Sequence, residues 1–355
     1  MKVQRDRIKK DNNAQSATQK HSPILEVVQE LAPRTTRDDP VSTPPEKVSP
    51  KVSILLCCYN GERFLSDQIQ SFKDQTYKNL DLWVSDDGSH DQTLSTIKHS
   101  LSTWHDCIHT IRTGPSEGFA ANFMSLITDQ EIDSDYYAYS DQDDIWGVDK
   151  LQRAVSILEK IPSSIPALYC SRTIVTDANN IQMGLSSKFT KRPCFQNALV
   201  QNIGGANTMI LNWAARDLIK DVSENINNVT SHDWWAYLVV SGCGGEVVYD
   251  THPSVRYRQH GSNLVGANLS WSGRIRRIHM LWQGQFRDWN DIHIESLQKI
   301  RSRLSLENQK VLDQFAEARK HGLVSRLIGL KQSGIYRQTL LGNLGLIAAA
   351  IFKKI

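Results

Sequence analysis

From Val52 onward the chain repeats one pattern: a short apolar run, a polar turn, then apolar residues at helical spacing. Val-Ser-Ile-Leu-Leu-Cys-Cys (52–58) has the length and composition of a buried strand, and Tyr-Asn-Gly (59–61) turns out of it. Leu65, Ile69 and Phe72 then recur as on one helix face. Leu80–Val84 is a second strand, stopped by Ser-Asp-Asp-Gly-Ser (85–89). A helix over Asp91–Leu101, a strand over Cys107–Arg112, a helix over Glu117–Thr128 and a strand over Tyr136–Ser140 follow. Leu151, Ala154, Val155, Leu158 and Ile161 mark one more amphipathic helix. Such alternation predicts βαβ units around a mostly parallel sheet. Ligands of such sheets bind beyond the carboxyl ends of the strands. The polar clusters Tyr59–Asn60, Asp86–Asp87 and Asp141–Asp144 all follow predicted strands, so they are expected to converge. Farther on, Ala206–Leu211 and Glu246–Asp250 read as strands and His232–Val240 as a short helix.

The flanks differ in kind. Residues 1–50 hold six of the eleven prolines and no Gly, Phe, Trp or Tyr, the composition of a disordered tail. Residues 51–270 carry 17 Lys and Arg against 25 Asp and Glu, whereas residues 271–355 carry 15 against 6. An acidic centre argues against nucleic-acid binding, and a basic helical C-terminal region suits an anionic membrane surface. Arg274, Arg276, Arg277 and Arg287 lie among Ile275, Ile278, Leu281, Trp282, Phe286 and Trp289. That is the pattern of an interfacial helix, and equally that of a helical cap packed on the catalytic domain. The apolar run Leu346–Phe352 is far shorter than the roughly 18–20 residues that span a bilayer. None of the six cysteines forms a C-x-x-C pair, and Met1–Asn13 has no apolar signal region, so a cytoplasmic, reducing setting is expected.

Four places hold residues able to do chemistry. In Ser-Asp-Gln-Asp-Asp-Ile-Trp (140–146), alternate residues such as Asp141 and Asp143 can share one side and offer hard oxygen ligands for Mg²⁺ or Mn²⁺. A solvated acidic turn would look the same. Val-Ser-Asp-Asp-Gly-Ser (84–89) offers a carboxylate that can accept the N–H of a pyrimidine, and also reads as a plain turn. In Ser-His-Asp-Trp-Trp (231–235), Ser231 can cap the helix, and Asp233 can support that cap or act as a general base. His260, in Tyr-Arg-Gln-His-Gly-Ser-Asn (257–263), can ligate a metal through a neutral ring nitrogen.

Taken in order, Lys51–Leu65, Ser71–Tyr77, Val84–Thr93 and the Asp-Gln-Asp-Asp-Ile-Trp segment, about 55 residues after Asp-Asp-Gly-Ser, resemble the family 2 glycosyltransferases of the GT-A fold over residues 51–265. The long acidic motif together with Arg-Gln-His-Gly-Ser-Asn is most similar to bacterial rhamnosyltransferase-type enzymes of surface polysaccharide synthesis, of O-antigen or capsule type. The resemblance implies a GT-A, Rossmann-like α/β domain over 51–270 and a helical C-terminal extension over 271–355. It implies that Cys57 and Tyr59 border the nucleotide base, that Asp87 binds the base, and that Asp141 sits by the ribose, phosphate and metal. Asp143 and His260 would hold the divalent metal, and Asp233 would be the catalytic base. Gly204, Gly205 and Asn207 would close the site around donor and acceptor. The family's usual Glu-Asp pair reads His232-Asp233 here, which leaves the role of position 232 open.

The reaction so implied is inverting transfer of a sugar, with rhamnose one candidate, from a dTDP- or UDP-sugar to a saccharide or lipid-linked saccharide. The setting would be the cytoplasmic face of the inner membrane. Two other readings share parts of this pattern. A nucleotidyltransferase would need a Gly-rich, basic loop after the first strand, where Tyr-Asn-Gly-Glu-Arg stands (59–63). A non-catalytic scaffold would have little use for Asp141, Asp143 and Asp233 together.

Overall fold

Every residue of Val52–Cys58 (β1) is buried, which only a strand covered on both faces explains. Its side chains alternate between two cores: Leu55 and Cys57 point into one, Val52, Ile54, Leu56 and Cys58 into the other. In the computed structural model the described residues are 49–224, 226, 228–261 and 283–355. Residues 1–48 of the expected N-terminal tail and residues 271–282 of the arginine- and tryptophan-rich segment lie outside them.

β1 pairs in parallel with β2 (Leu80–Asp86) on one side and β4 (Tyr136–Ser140) on the other, and β2 pairs in parallel with β3 (Ile108–Thr113). Parallel neighbours need crossovers. These are α1 (Leu65–Lys73), α2 (Thr93–Ser102) and α3 (Phe119–Ile127), the helices that the sequence periodicity predicts. Strand order 3-2-1-4 reverses direction at β1, and that reversal opens a crevice at the carboxyl ends of β1, β2 and β4.

Beyond β4 the sheet becomes mixed. β8 (Ile210–Asn212) runs antiparallel to both β4 and β6 (Ala167–Thr176). β9 (Glu246–Arg258) runs parallel to β6, while β5 (Ile145–Trp146) and β7 (Gln182–Leu185) pair antiparallel with β9 and β6. The strand expected at Ala206–Leu211 is in part a 3-10 turn, Ala206–Thr208, that leads into β8. The strand expected at Glu246–Asp250 continues eight residues further, to Arg258. Helices α4 (Lys150–Leu158), α5 (Phe195–Ala198), α6 (Trp213–Ser223) and α7 (His232–Gly242) cover the sheet.

The C-terminal helices α8 (Gln285–Lys299), α9 (Leu306–Lys320), α10 (Leu323–Gln332) and α11 (Leu340–Ile351) extend one of the two cores. Leu297, Leu312, Phe315, Leu330 and Ala350 belong to the same apolar cluster as Leu55 and Tyr139. Each such large side chain removed from water contributes about 1.5–3 kcal/mol, so this region is packed on the sheet domain. Among the described residues no helix is long and apolar enough to cross a membrane.

Candidate active site

The crevice is built from the three polar strand ends that the sequence predicts to converge. Register sets Cys57 beside Ser85, Cys58 beside Asp86, and Leu56 beside Ser140, so Tyr59, Asp87 and Asp141 leave the sheet at neighbouring points. Cys57 is buried, with its thiol raised by desolvation and then by nearby charges that include Asp141 and Asp87, so it lines the floor as an apolar group. Tyr59 is exposed at the rim. Gln142 fixes Tyr59 by two bonds, accepting its N–H at 2.8 Å and donating to its carbonyl at 2.9 Å.

Asp87 is buried at the end of β2. Its two oxygens accept the Ser116 N–H at 2.7 Å and the Gly118 N–H at 3.1 Å. The carboxylate is therefore held in place by the loop after β3, with lone pairs remaining for a ligand.

The acidic segment divides by depth. Asp144 is completely buried and accepts from Arg258 N at 2.9 Å and from the Asn207 side-chain amide. It is a structural knot that joins the end of β4, the 3-10 turn and β9. Asn207, expected near donor and acceptor, is thus engaged with Asp144. Asp143 faces His260, with Oδ2 2.7 Å from Nε2. Burial first, then the charges of Asp143 and Asp233, push the Asp141 carboxyl up to about 8. Asp141, Asp143 and Asp233 therefore occupy one electrostatic site.

Asp233 lies in the first turn of α7, where the helix dipole favours an anion. Ser231 occupies the cap position without a side-chain cap bond, and Asp233 Oδ1 accepts the Trp234 N–H at 2.7 Å. Asp233 Oδ2 accepts from Asn202 Nδ2 at 2.8 Å, a partner that sequence reading missed. The adjacent His232 is buried and stacks on Phe123 at 3.8 Å between ring centroids, with Tyr139 edge-on at 4.9 Å. Burial lowers the His232 imidazole to about 4, so it is neutral near pH 7. Neither its ring nitrogens nor the Tyr139 hydroxyl has a hydrogen-bond partner among the described residues.

Gly204 sits in a tight place, since a Cβ there would stand 3.1 Å from Thr208 Oγ1 and 3.2 Å from Cys170 Cβ. A Cβ on Gly205 would stand 2.9 Å from Asn207 Oδ1. Both glycines let the 203–208 loop fold tightly beside the acidic segment.

The residues present fit a divalent cation in part. Asp143 and His260 supply two ligands of suitable chemistry, and a cation beside them would offset the like-charge crowding that raises the Asp141 carboxyl. Among the described residues no group of three or more His, Cys, Asp or Glu is arranged to hold a metal, so further ligands would be donor phosphate and water.

The family model for glycosyl transferase family 2 matches residues 53–216, which include the three strand ends of the crevice but neither Asp233 nor His260. Over that stretch the chain carries a glycosyl transferase family 2 domain. Among curated relatives, the glycosyltransferase is 27% identical over 231 residues to the dTDP-rhamnosyl transferase RfbG of Shigella flexneri, covering 64% of this chain and 78% of that one. It is 35% identical over 111 residues to the putative glycosyltransferase EpsE of Bacillus subtilis, covering 31% of this chain and 39% of that one. Among solved structures, it aligns with TarS 1–349 of S. aureus in complex with UDP-GlcNAc at a TM-score of 0.49 and 12% identity, over 81% of this chain and 93% of that one. It aligns with the mannosyltransferase PcManGT of Pyrobaculum calidifontis, in complex with GDP-Man and Mn²⁺, at 0.46 and 15%, over 89% of each.

Proposed function

We propose that this glycosyltransferase transfers a sugar from a nucleotide diphosphate sugar to an acceptor hydroxyl with inversion, in the synthesis of a surface polysaccharide. The observation that carries the reading is the convergence of Asp141, Asp143, Asp233 and His260 on one crevice at the strand ends. Asp87 faces the base, and Cys57 and Tyr59 border it. Asp143 and His260, with Asp141 beside them, would hold Mg²⁺ or Mn²⁺, which would offset the negative charge developing on the departing diphosphate.

Asp233 takes the acceptor proton, held in place by Asn202 and by its own helix turn. A positioned general base contributes about 10²–10⁴-fold in rate. Direct attack by the acceptor needs no covalent sugar–enzyme intermediate. Similarity to the dTDP-rhamnosyl transferase makes dTDP-rhamnose the first donor to try, and a saccharide or lipid-linked saccharide the acceptor class. Residues 51–270 are the catalytic domain in this reading, and residues 271–355 its C-terminal support.

The test is a panel of dTDP-, UDP- and GDP-sugars, assayed for release of nucleoside diphosphate with and without Mn²⁺ or Mg²⁺. Metal-dependent hydrolysis of one donor, abolished in Asp233→Asn, is the expected result. A folded Asp233→Asn enzyme at near wild-type rate would remove Asp233 from the base role.

A further inference from the structure

Helix α11 packs Ala349 and Ala350 inward and leaves its other side to solvent. Leu340, Leu344, Ile347 and Ile351 recur at helical spacing with Leu341 and Phe352 beside them, and all six are 44–78% exposed. Contiguous apolar surface of this kind marks a contact site rather than ordinary monomer surface. The neighbouring α10 exposes Leu323, Val324 and Ile328. Arg326 of α10 is buried and donates to Ala350 O at 2.6 Å, so the two helices are locked together.

From α10 onward the charged residues are all of one sign. No Asp or Glu occurs after Glu317, while Lys331, Arg337, Lys353 and Lys354 do. A second basic element is tied to the same place. The Lys188–Pro193 loop lines a hollow of about 400 Å³ with Tyr249 and Thr251. Its Lys188, Lys191 and Arg192 are exposed. Tyr336 donates to Arg192 O at 2.6 Å, and Gln338 exchanges bonds with Lys191 N and O at 3.2 and 3.1 Å. Tyr336 and Gln338 lie immediately before α11, so the basic loop stands beside the start of the apolar helix. The chain between Asp177 and Asp217 likewise contains no acidic residue.

We propose that the exposed face of α11, together with the Lys188–Arg192 loop, docks this enzyme on an anionic lipid bilayer. Apolar side chains enter the headgroup boundary while the basic residues meet lipid phosphates. The α11 face lies within the basic C-terminal region that the sequence pattern offers to a membrane, and the Lys188–Arg192 loop adds a second element from outside that region. Its use rests on the proposed function, since a lipid-linked acceptor would be presented at that boundary.

The experiment is co-sedimentation of the full chain with vesicles of phosphatidylglycerol and phosphatidylcholine, against vesicles of phosphatidylcholine alone. Binding to the anionic vesicles, weakened by salt, is expected. Leu344→Asp/Ile347→Asp should release the protein, and Lys191→Glu or Arg192→Glu should each weaken binding by about fivefold or more. Thermal melting and donor hydrolysis in solution accompany each variant. Hydrolysis unchanged in Leu344→Asp/Ile347→Asp separates docking from catalysis, and vesicle binding by a chain that hydrolyses no donor would leave docking standing while the proposed function fails. Equal sedimentation of all variants overturns the proposal, as does a wild-type protein that stays in the supernatant. Concentration-dependent dimers abolished by Leu344→Asp would assign the face to a second copy instead.

Discussion

Asp143 Oδ2 stands 2.7 Å from His260 Nε2 although 117 residues separate them in the chain. The two-residue strand β5 makes this possible: Ile145 pairs with Arg256 and Trp146 with Val255, which draws the end of β9 back over the acidic segment. If the pair holds the cation, His260→Ala raises the Mn²⁺ concentration for half-maximal donor hydrolysis by about tenfold or more. Asp143→Ala should abolish the response to Mn²⁺. A metal titration decides this, and identical curves for wild type and His260→Ala would remove His260 from the ligand set.

Asn202 gives a second prediction. Its side-chain amide donates to Asp233 Oδ2, and a hydrogen bond to a charged group is worth about 1.5–3 kcal/mol. Asn202→Ala should lower kcat by about 10–100-fold and leave the donor KM nearly unchanged, because the bond orients the base and does not grip the nucleotide. A change in KM alone would make Asn202 a donor-binding residue.

The first half of the sheet was legible because β1 and β4 are buried on both faces and β1, β2 and β4 each end in a polar cluster, as Val52–Cys58 does at Tyr59–Asn60. The carboxylates Asp87, Asp141 and Asp143 could be placed for the same reason. The antiparallel second half was not, since β5 is two residues long and β8 three, too short for any periodicity. Asn202 and Gln142 carried no signal either. Their roles come from contacts 31 and 83 residues away, which local spacing does not encode.

Asp144 shows how one carboxylate of the acidic segment can serve the fold. Burial, and after it the Asp143 and Asp141 charges, hold its carboxyl well above the usual range, with the Asn207 and Arg258 bonds opposing that shift. Asp144→Ala leaves two donors, the Asn207 amide and the Arg258 N–H, unpaired in the interior at a cost of about 3 kcal/mol in total. A lowered urea midpoint is expected, with a smaller loss in Asp144→Asn, which keeps an acceptor. Undiminished stability in Asp144→Ala would show that the two donors find other partners.

The buried His293 makes stability depend on pH. It is 2% exposed, packs edge-on against Trp234 at 4.5 Å, and has no hydrogen-bond partner among the described residues. Burial lowers its imidazole to about 3. In the unfolded chain the same group titrates near 6.5. Between these values the unfolded state binds the extra proton, so stability is complete above about 6.5 and falls as the pH drops. At pH 5 this one group costs about 2 kcal/mol. His293→Phe keeps the ring contact and removes the proton, so its loss of unfolding free energy between pH 7.5 and pH 5 should be about 2 kcal/mol smaller than that of wild type. Equal losses in the two proteins would mean that His293 is charged inside the fold.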